Sequence, residues 1–393
     1  MTSADLIFFD AGGGHRSAAE ALRLVMKEQG GWDVRLVNLQ ELLDSLDLVR
    51  KLTGLRMQDL YNFILKKGWT LGTAQGLRLL HMLIRVLHVK QVRLLERIWR
   101  DSKPDLAVSL VPHFNRALGE SLRRARPGTP FVTILTDLAD YPPHFWIERQ
   151  EQFFICGSDR AVAQARAAGI RAELVFQASG MILRPHFYQP LALDRVVERQ
   201  RLGLDPDLPT GLVLFGGQGS AAMLEIAERL DAAHLDLQLI FICGRNEKLA
   251  NALRRRNARL RSYVEGFTKE VPFYMSISDF FIGKPGPGSV SEALAMRLPV
   301  IIERNARTLP QERYNVNWIL EKQVGLAVRG PRGIPTAVKR LLEPGNLERY
   351  RARAAAIRNQ AVFEIPDILR KIAGVSPDCH APEPTKSLRE QGA

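Results

Sequence analysis

The sequence predicts an α/β protein of two Rossmann-like domains, each a parallel sheet flanked by helices, facing across a cleft. Three observations carry this. The chain of 393 residues is longer than one hydrophobic core usually supports. Strand and helix signals alternate along it in two successive runs, the pattern of parallel sheets covered on both faces. A glycine-rich loop also stands near each end: Asp10-Ala11-Gly12-Gly13-Gly14-His15, and Lys284-Pro285-Gly286-Pro287-Gly288-Ser289. Each lies between an apolar strand signal and a helix signal, so backbone N–H groups can approach a ligand at the positive end of a helix dipole. Two such loops imply closure on something anionic, and a nucleotide-linked substrate fits best.

The first domain is expected over residues 1–185. Leu6-Ile7-Phe8-Phe9 reads as a buried strand, Ser17 to Glu28 as a helix, and Val34 to Val37 as a second strand. A helical insertion is expected over about 41–100. Strands resume at Leu106 to Leu110, Phe131 to Leu135 and Gln152 to Ile155, with helices at Arg116 to Arg124 and Asp159 to Ala168 between them. Val175 is placed in one more strand before Ser179-Gly180. The second domain is expected over 205–345. Its strands are Leu212 to Phe215, Leu237 to Cys243, Phe280 to Ile282 and Val300 to Ile302; its helices include Ala221 to Ala233 and Asn246 to Arg256. C-terminal helices follow over 346–375, and the polar, proline-bearing 376–393 reads as a disordered tail.

Hydrophobic content of 46% and charged content of 25% are those of a soluble globular protein. The net charge of +13 is not, and implies an acidic partner: nucleic acid, an anionic membrane surface or phosphorylated substrates. Cys156, Cys243 and Cys379 are too few and too scattered for a disulfide framework or a metal site, which suits a reducing compartment. The apolar region Leu77 to Ile98 is interrupted by Arg78, Arg85, Lys90 and Arg93, so no transmembrane helix is expected. No signal peptide is expected at the N-terminus either.

Phe215-Gly216-Gly217-Gln218-Gly219-Ser220 has the form of a phosphate cradle, with Gly217, Gly219 and Ser220 offering backbone donors. It meets neither the dinucleotide fingerprint nor the Walker A spacing, and a plain tight turn carries equal weight. After Gly288 and Ser289, Glu292 is read as sitting in the first helical turn, its carboxylate free to take hydrogen bonds from a diol such as ribose. The competing reading is an acid that only stabilises the helix start. Gln311 and Glu312, an amide beside a carboxylate, suit a sugar ring with several hydroxyls. Asp205-Pro206-Asp207 is an acid pair in a turn-rich linker and is read as incidental.

Gly266-Phe267-Thr268, the run Lys284 to Leu294 and Leu298-Pro299-Val300-Ile301-Ile302 together resemble the donor-binding half of the monogalactosyldiacylglycerol synthase family. Its wider relatives are the processive diacylglycerol glucosyltransferases and the enzyme that adds N-acetylglucosamine to lipid I. The segment Asp10 to Leu22, Thr136-Asp137-Leu138 with Pro142 and His144, and Ile182 to Phe187 resemble further landmarks, in consistent order from about Asp5 to Val328. The resemblance implies a GT-B fold and inverting transfer of a hexose from a UDP-sugar to the hydroxyl of diacylglycerol, giving a membrane glycolipid. It implies His15 as catalytic base, against the plainer reading of a helix-capping histidine, and Gly13 and Gly14 in its loop. Asp137 is expected to orient His15 or to meet the acceptor. Phe267 and its neighbours are expected to hold the uracil, and backbone N–H groups to stabilise the leaving group with no metal and no cofactor. Ala11, the shortened stretch after Thr136 and Arg304 to Pro310 depart from the family pattern; they bear on the sugar and the acceptor more than on the reaction class.

Between Tyr61 and Leu95 there is no acid, while Lys66, Lys67, Arg78, Arg85, Lys90 and Arg93 are present beside Tyr61, Phe63 and Trp69. Leu77, Leu80, Ile84, Leu87, Leu94 and Ile98 fall on one helical stripe and Lys90, Arg93, Arg97 and Arg100 on another. That pattern fits a helix lying in an anionic membrane interface, and the bland alternative is a core helix with a solvated basic face. The expected location is peripheral, on the cytoplasmic face of the inner membrane. A UDP-N-acetylglucosamine 2-epimerase-like enzyme, acting on a soluble sugar nucleotide, is the competing reading. A non-catalytic nucleic-acid binder ranks last, because no nucleic-acid motif accompanies the charge.

Overall fold

The computed structural model describes residues 1–10, 13–44, 73–141, 145–189, 192–306 and 308–374, with backbone only over 73–80. Ala11, Gly12, Tyr61, Phe63, Lys66, Lys67, Trp69, Pro142, His144 and the tail at 376–393 lie outside the described residues, as does the Arg78 side chain.

Short, fully buried apolar runs form two six-stranded parallel sheets. The first begins with β1 (Thr2–Phe8), α1 (Gly14–Gln29), β2 (Trp32–Asn38), α2 (Leu39–Leu43) and α3 (Thr73–Ser102). It continues through β3 (Leu106–Ser109), α4 (Asn115–Ala125), β4 (Phe131–Ile134), β5 (Phe153–Cys156), α5 (Asp159–Ala167) and β6 (Val175–Gln177). The strand order is β2-β1-β3-β4-β5-β6. The chain crosses through α6 (Arg195–Arg201) into β7 (Thr210–Leu214), α7 (Ala222–Ala232), β8 (Gln238–Ile242), α8 (Glu247–Arg254) and β9 (Ser262–Glu265). Then come α9 (Val271–Ser276), β10 (Phe280–Gly283), α10 (Pro287–Ala295), β11 (Val300–Glu303), α11 (Arg313–Glu321), β12 (Gly325–Val328) and α12 (Ile334–Leu341). This second sheet runs β12-β11-β10-β7-β8-β9.

In open parallel sheets ligands bind outside the carboxyl ends of the strands, where the strand order reverses. In the first sheet that point lies between β1 and β3, and in the second between β7 and β10. The loops after β1, β7 and β10 are the three glycine-rich segments.

The C-terminal helices divide between the two sheets. In α13 (Asn346–Ala355), Tyr350 and Ala354 pack on the second lobe. The chain then crosses back, and Ala361, Ile365 and Leu369 of α14 (Ala361–Ala373) join the core of β1 with Ala4 and Leu6. The crossing is fixed by the Gln360 N–H donating to Ser179 Oγ at 2.7 Å, the Ser179 N–H to Glu364 Oε2 at 2.7 Å, and Asn359 Nδ2 to the Met181 carbonyl at 3.0 Å. The acid pair of the linker makes a turn: the Asp207 N–H donates to Asp205 Oδ1 at 2.9 Å.

Helix α3 corrects the expected stripe. Val92, Leu95 and Trp99 are buried with Ile7, Leu39 and Leu118, and Trp99 Nε1 donates to Ser121 Oγ at 2.8 Å. Ile84, Leu94 and Ile98 lean on this cluster, so this part of the stripe faces the protein. Among the described side chains of α3, the apolar ones left outward are Met82, Val86 and Val89, which are 59%, 74% and 56% exposed. Arg85, Lys90 and Arg93 stand exposed beside them. No helix of the described residues is long and apolar enough to cross a membrane.

Candidate active site

Strand β1 ends in a turn where Gly13 has φ of 83°, a left-handed conformation that favours glycine, and its carbonyl accepts the Ser17 N–H at 3.1 Å. Helix α1 starts at Gly14, which puts His15 in its first turn at the switch point of the first sheet. The imidazole is half-buried, its ring 5.9 Å from that of Trp146. Although an edge reaches the cleft, the protein packed around it pushes its pKa down to about 4; the Leu110 carbonyl pulls the other way. Its Nδ1 lies 3.0 Å from the Thr136 hydroxyl.

The expected link from Asp137 to His15 is therefore replaced by the preceding residue. Asp137 is buried, and its Oδ2 accepts the Trp146 indole N–H at 2.9 Å. Burial lifts its pKa to about 7; the Trp146 hydrogen bond opposes this, Glu312 and Asp140 add to it, and Lys284 opposes it. Glu312 and Lys284 belong to the second sheet's loops, so Asp137 looks across the cleft at them. They form a pair at 3.4 Å, with Glu312 buried and Lys284 partly exposed.

The two glycine loops of the second lobe meet at its switch point. A Cβ on Gly216 would stand 3.6 Å from Lys284 Cε. Gly219 has φ of 60°, and a Cβ there would fall 2.7 Å from the Cys243 carbonyl oxygen. The Gly217 carbonyl accepts the Arg245 N–H at 3.0 Å, and Ser220 Oγ accepts the Ala222 N–H at 3.3 Å. These contacts give the tight-turn reading its due: the glycines are needed for close packing, and the exposed Gly217 forms the crest of the loop. Helix α10 starts beyond Gly286, so Gly288 and Ser289 sit in its first turn.

Glu292 corrects another expectation. It lies in the second turn of α10, where no acid meets the helix start. Burial raises its pKa to about 7, opposed by Arg184. Arg184 itself donates from Nε to Ser17 Oγ and from Nη2 to Glu20 Oε2, each at 3.2 Å. It thus links α1, which carries His15, to the Glu292 side of the cleft. Gln311 is half-buried beside Glu312 in a short 3-10 turn that leads into α11. Phe267 is 53% exposed, with the Arg245 guanidinium 4.7 Å above its ring.

Sequence reasoning did not single out Lys284, Arg184, Thr136 or His113 as functional residues. The first three lay inside the quoted motifs and offered a signal there; His113 stood in no motif. Among the described residues no group of three or more His, Cys, Asp or Glu is arranged to hold a metal ion.

Two parallel sheets with their switch points opposed, an imidazole on one side and glycine-lined helix starts on the other, define the GT-B fold. The expected kinship with the monogalactosyldiacylglycerol synthase family is borne out: the chain is 28% identical over 381 residues to the chloroplastic monogalactosyldiacylglycerol synthase of Spinacia oleracea, spanning 92% of this chain and 70% of that protein. No protein-family model matches the chain. Among solved structures, MurG of Acinetobacter baumannii superposes with a TM-score of 0.59 at 13% identity, covering 94% of this chain and all (100%) of that one. The UDP-GlcNAc 2-epimerase of Neisseria meningitidis, bound to UDP-GlcNAc, gives 0.58 at 14% identity over 94% and 99%. At such identities these two likenesses concern the fold alone.

Proposed function

We propose that the protein transfers a hexose from a UDP-sugar to the free hydroxyl of diacylglycerol, with inversion at the anomeric carbon. The observation that carries this is the opposition, across one cleft, of a neutral imidazole on α1 and the paired glycine loops of the second lobe. His15 takes the proton from the acceptor hydroxyl. The new bond forms from that oxygen to the anomeric carbon as the bond to the UDP phosphate oxygen breaks on the opposite face. Backbone N–H groups of Gly217, Gly219, Ser220, Gly288 and Ser289, with the Lys284 ammonium close by, stabilise the departing diphosphate. Gly13 and Gly14 line the same space from the first lobe. Glu292 accepts from the ribose diol, Phe267 flanks the uracil, and Gln311 and Glu312 hold the sugar hydroxyls. Asp137, whose burial keeps it protonated below about pH 7, meets the acceptor side.

The decisive experiment incubates the protein with each UDP-hexose and diacylglycerol and analyses the lipid by mass. A hexosyl diacylglycerol is expected. Conversion of the sugar nucleotide with no lipid product would instead establish the epimerase-type reading.

The acceptor resides in a bilayer, and the outward face of α3 supplies the docking surface: Met82, Val86 and Val89 enter the interface while Arg85, Lys90 and Arg93 meet anionic headgroups. A peripheral location, on the cytoplasmic face of the inner membrane, goes with this reading. A basic side chain near an anionic surface contributes about 1 kcal/mol. The double variant Arg85→Ala, Arg93→Ala is therefore expected to bind anionic vesicles about thirtyfold more weakly in flotation. Equal recovery of wild type on anionic and neutral vesicles would refute this surface.

A further inference from the structure

The loop after β3 holds a second imidazole that the chemistry above leaves unused. His113 has φ of 71°, a left-handed backbone that costs a non-glycine residue about 1–2 kcal/mol. Strain of this kind persists where neighbouring structure enforces it, and it gathers at functional sites. Three contacts enforce it here. The His113 N–H donates to the Phe145 carbonyl at 2.7 Å, and its ring stands edge-on to Phe145 with centroids 4.2 Å apart. Its Nδ1 lies 2.7 Å from Nε2 of His81, a residue of the basic helix α3. Burial holds the His113 imidazole neutral, with a pKa near 3, and His81 and His15 push in the same direction.

Topology puts this ring in the right place. β1 and β3 are adjacent parallel strands, so the loops beyond their carboxyl ends, carrying His15 and His113, share the switch point. His81 reaches the same point from the helix whose outward face carries Met82 and Val86. Resting on the function proposed above, we propose that His113, held in place by His81, positions the acceptor's hydroxyl for His15. With Nδ1 engaged by His81, Nε2 of the neutral ring is left to make one hydrogen bond to an uncharged alcohol. The same ring offers no charge to a phosphate, which makes this subsite one for a neutral glyceride rather than an anionic headgroup. The pair also ties acceptor placement to α3, the element that meets the bilayer.

The test uses His113→Asn, because asparagine tolerates the left-handed backbone. His113→Gly, which adopts it freely, guards against an unstable asparagine variant. His81→Gln and the double variant His81→Gln, His113→Asn complete the set. Transfer is measured with the acceptor varied at saturating UDP-sugar, and the converse. H113N and H113G are expected to raise the acceptor KM about tenfold, the worth of one hydrogen bond, with donor KM and UDP affinity within about twofold of wild type. H81Q shifts the acceptor KM in the same direction, and the double variant is no worse than H113N, since His81 acts through His113. An acceptor KM and kcat unchanged in H113N and H113G, while wild type makes glycolipid, would overturn the inference alone; so would a donor KM that rises as much as the acceptor KM. A wild type that makes no glycolipid would take the functional reading down and this subsite with it.

Discussion

His15→Ala is expected to lower transfer of hexose to diacylglycerol by about a hundred- to ten-thousand-fold, the range that one positioned general base contributes. UDP affinity is expected to stay at the wild-type level, because the proposed reaction sets the diphosphate against the opposite lobe. The pH dependence follows from the environment of the ring. A base works only when unprotonated, and burial sets the His15 pKa at about 4 rather than the ordinary 6.5. The acid limb of kcat/KM should therefore fall as pH drops through about 4, with full activity kept through pH 6. The Thr136 hydroxyl explains why no carboxylate offsets the shift: it orients Nδ1 without adding negative charge that would hold the ring protonated. Stability carries the same signature. Between pH 6.5 and about 4 the unfolded chain binds a proton that the folded ring refuses, so wild type loses stability as pH falls through that window; His15→Ala lacks this share of the loss and keeps the share due to His113. An alanine variant with wild-type turnover would remove His15 from the chemistry.

Both sheets were legible in the sequence because strands buried on two faces read as unbroken apolar runs, as in Leu239-Ile240-Phe241 of β8. The strands passed over were β9 and β12, at the two edges of the second sheet, where Ser262-Tyr263-Val264-Glu265 and Gly325 give no such run. The glycine loops were legible as switch-point loops because a strand, a glycine run and a helix start are all local features. Contacts made across the fold were not. Thr136 and Asp137 are consecutive, and spacing alone does not tell which side chain turns to His15 and which to Trp146. The two stripes of α3 are both apolar enough to face protein; only the packing of Val92, Leu95 and Trp99 decides which one does. That α14 returns to the first lobe, through Ala361, Ile365 and Leu369, depends on partners more than 350 residues away at β1.

Asp279→Asn is expected to cost about 3–5 kcal/mol of unfolding free energy, the usual penalty for removing one partner of a buried ion pair. Asp279, at the start of β10, receives Arg199 Nη2 at 2.7 Å, Arg195 Nη2 at 2.9 Å, Arg351 Nη2 at 3.1 Å and the Thr210 N–H at 2.8 Å. Arg199 is 5% exposed, so without the carboxylate a guanidinium would be left in the interior with only the Ile277, Pro206 and Leu208 carbonyls. Burial alone would raise the Asp279 pKa, but Arg199, the Thr210 N–H and Arg195 outweigh it and hold it below the usual 3.8. A depressed carboxylate contributes stability above the unfolded value and loses it as pH falls through the folded one. Wild type should therefore lose more stability than the asparagine variant on going below about pH 4, since the variant already lacks the charge, while the losses due to His15 and His113 fall on both alike. Urea unfolding at pH 7 and pH 3.5 reads both effects; a loss under about 1 kcal/mol at pH 7 would mean that the carbonyls satisfy Arg199 by themselves. The consequence reaches the cleft. Arg195 and Arg199 belong to α6, just beyond the first crossing between lobes, and Arg351 to α13, just before the second. One carboxylate thus anchors both crossings to the second lobe, and in the proposed reaction the approach of His15 to the donor depends on it.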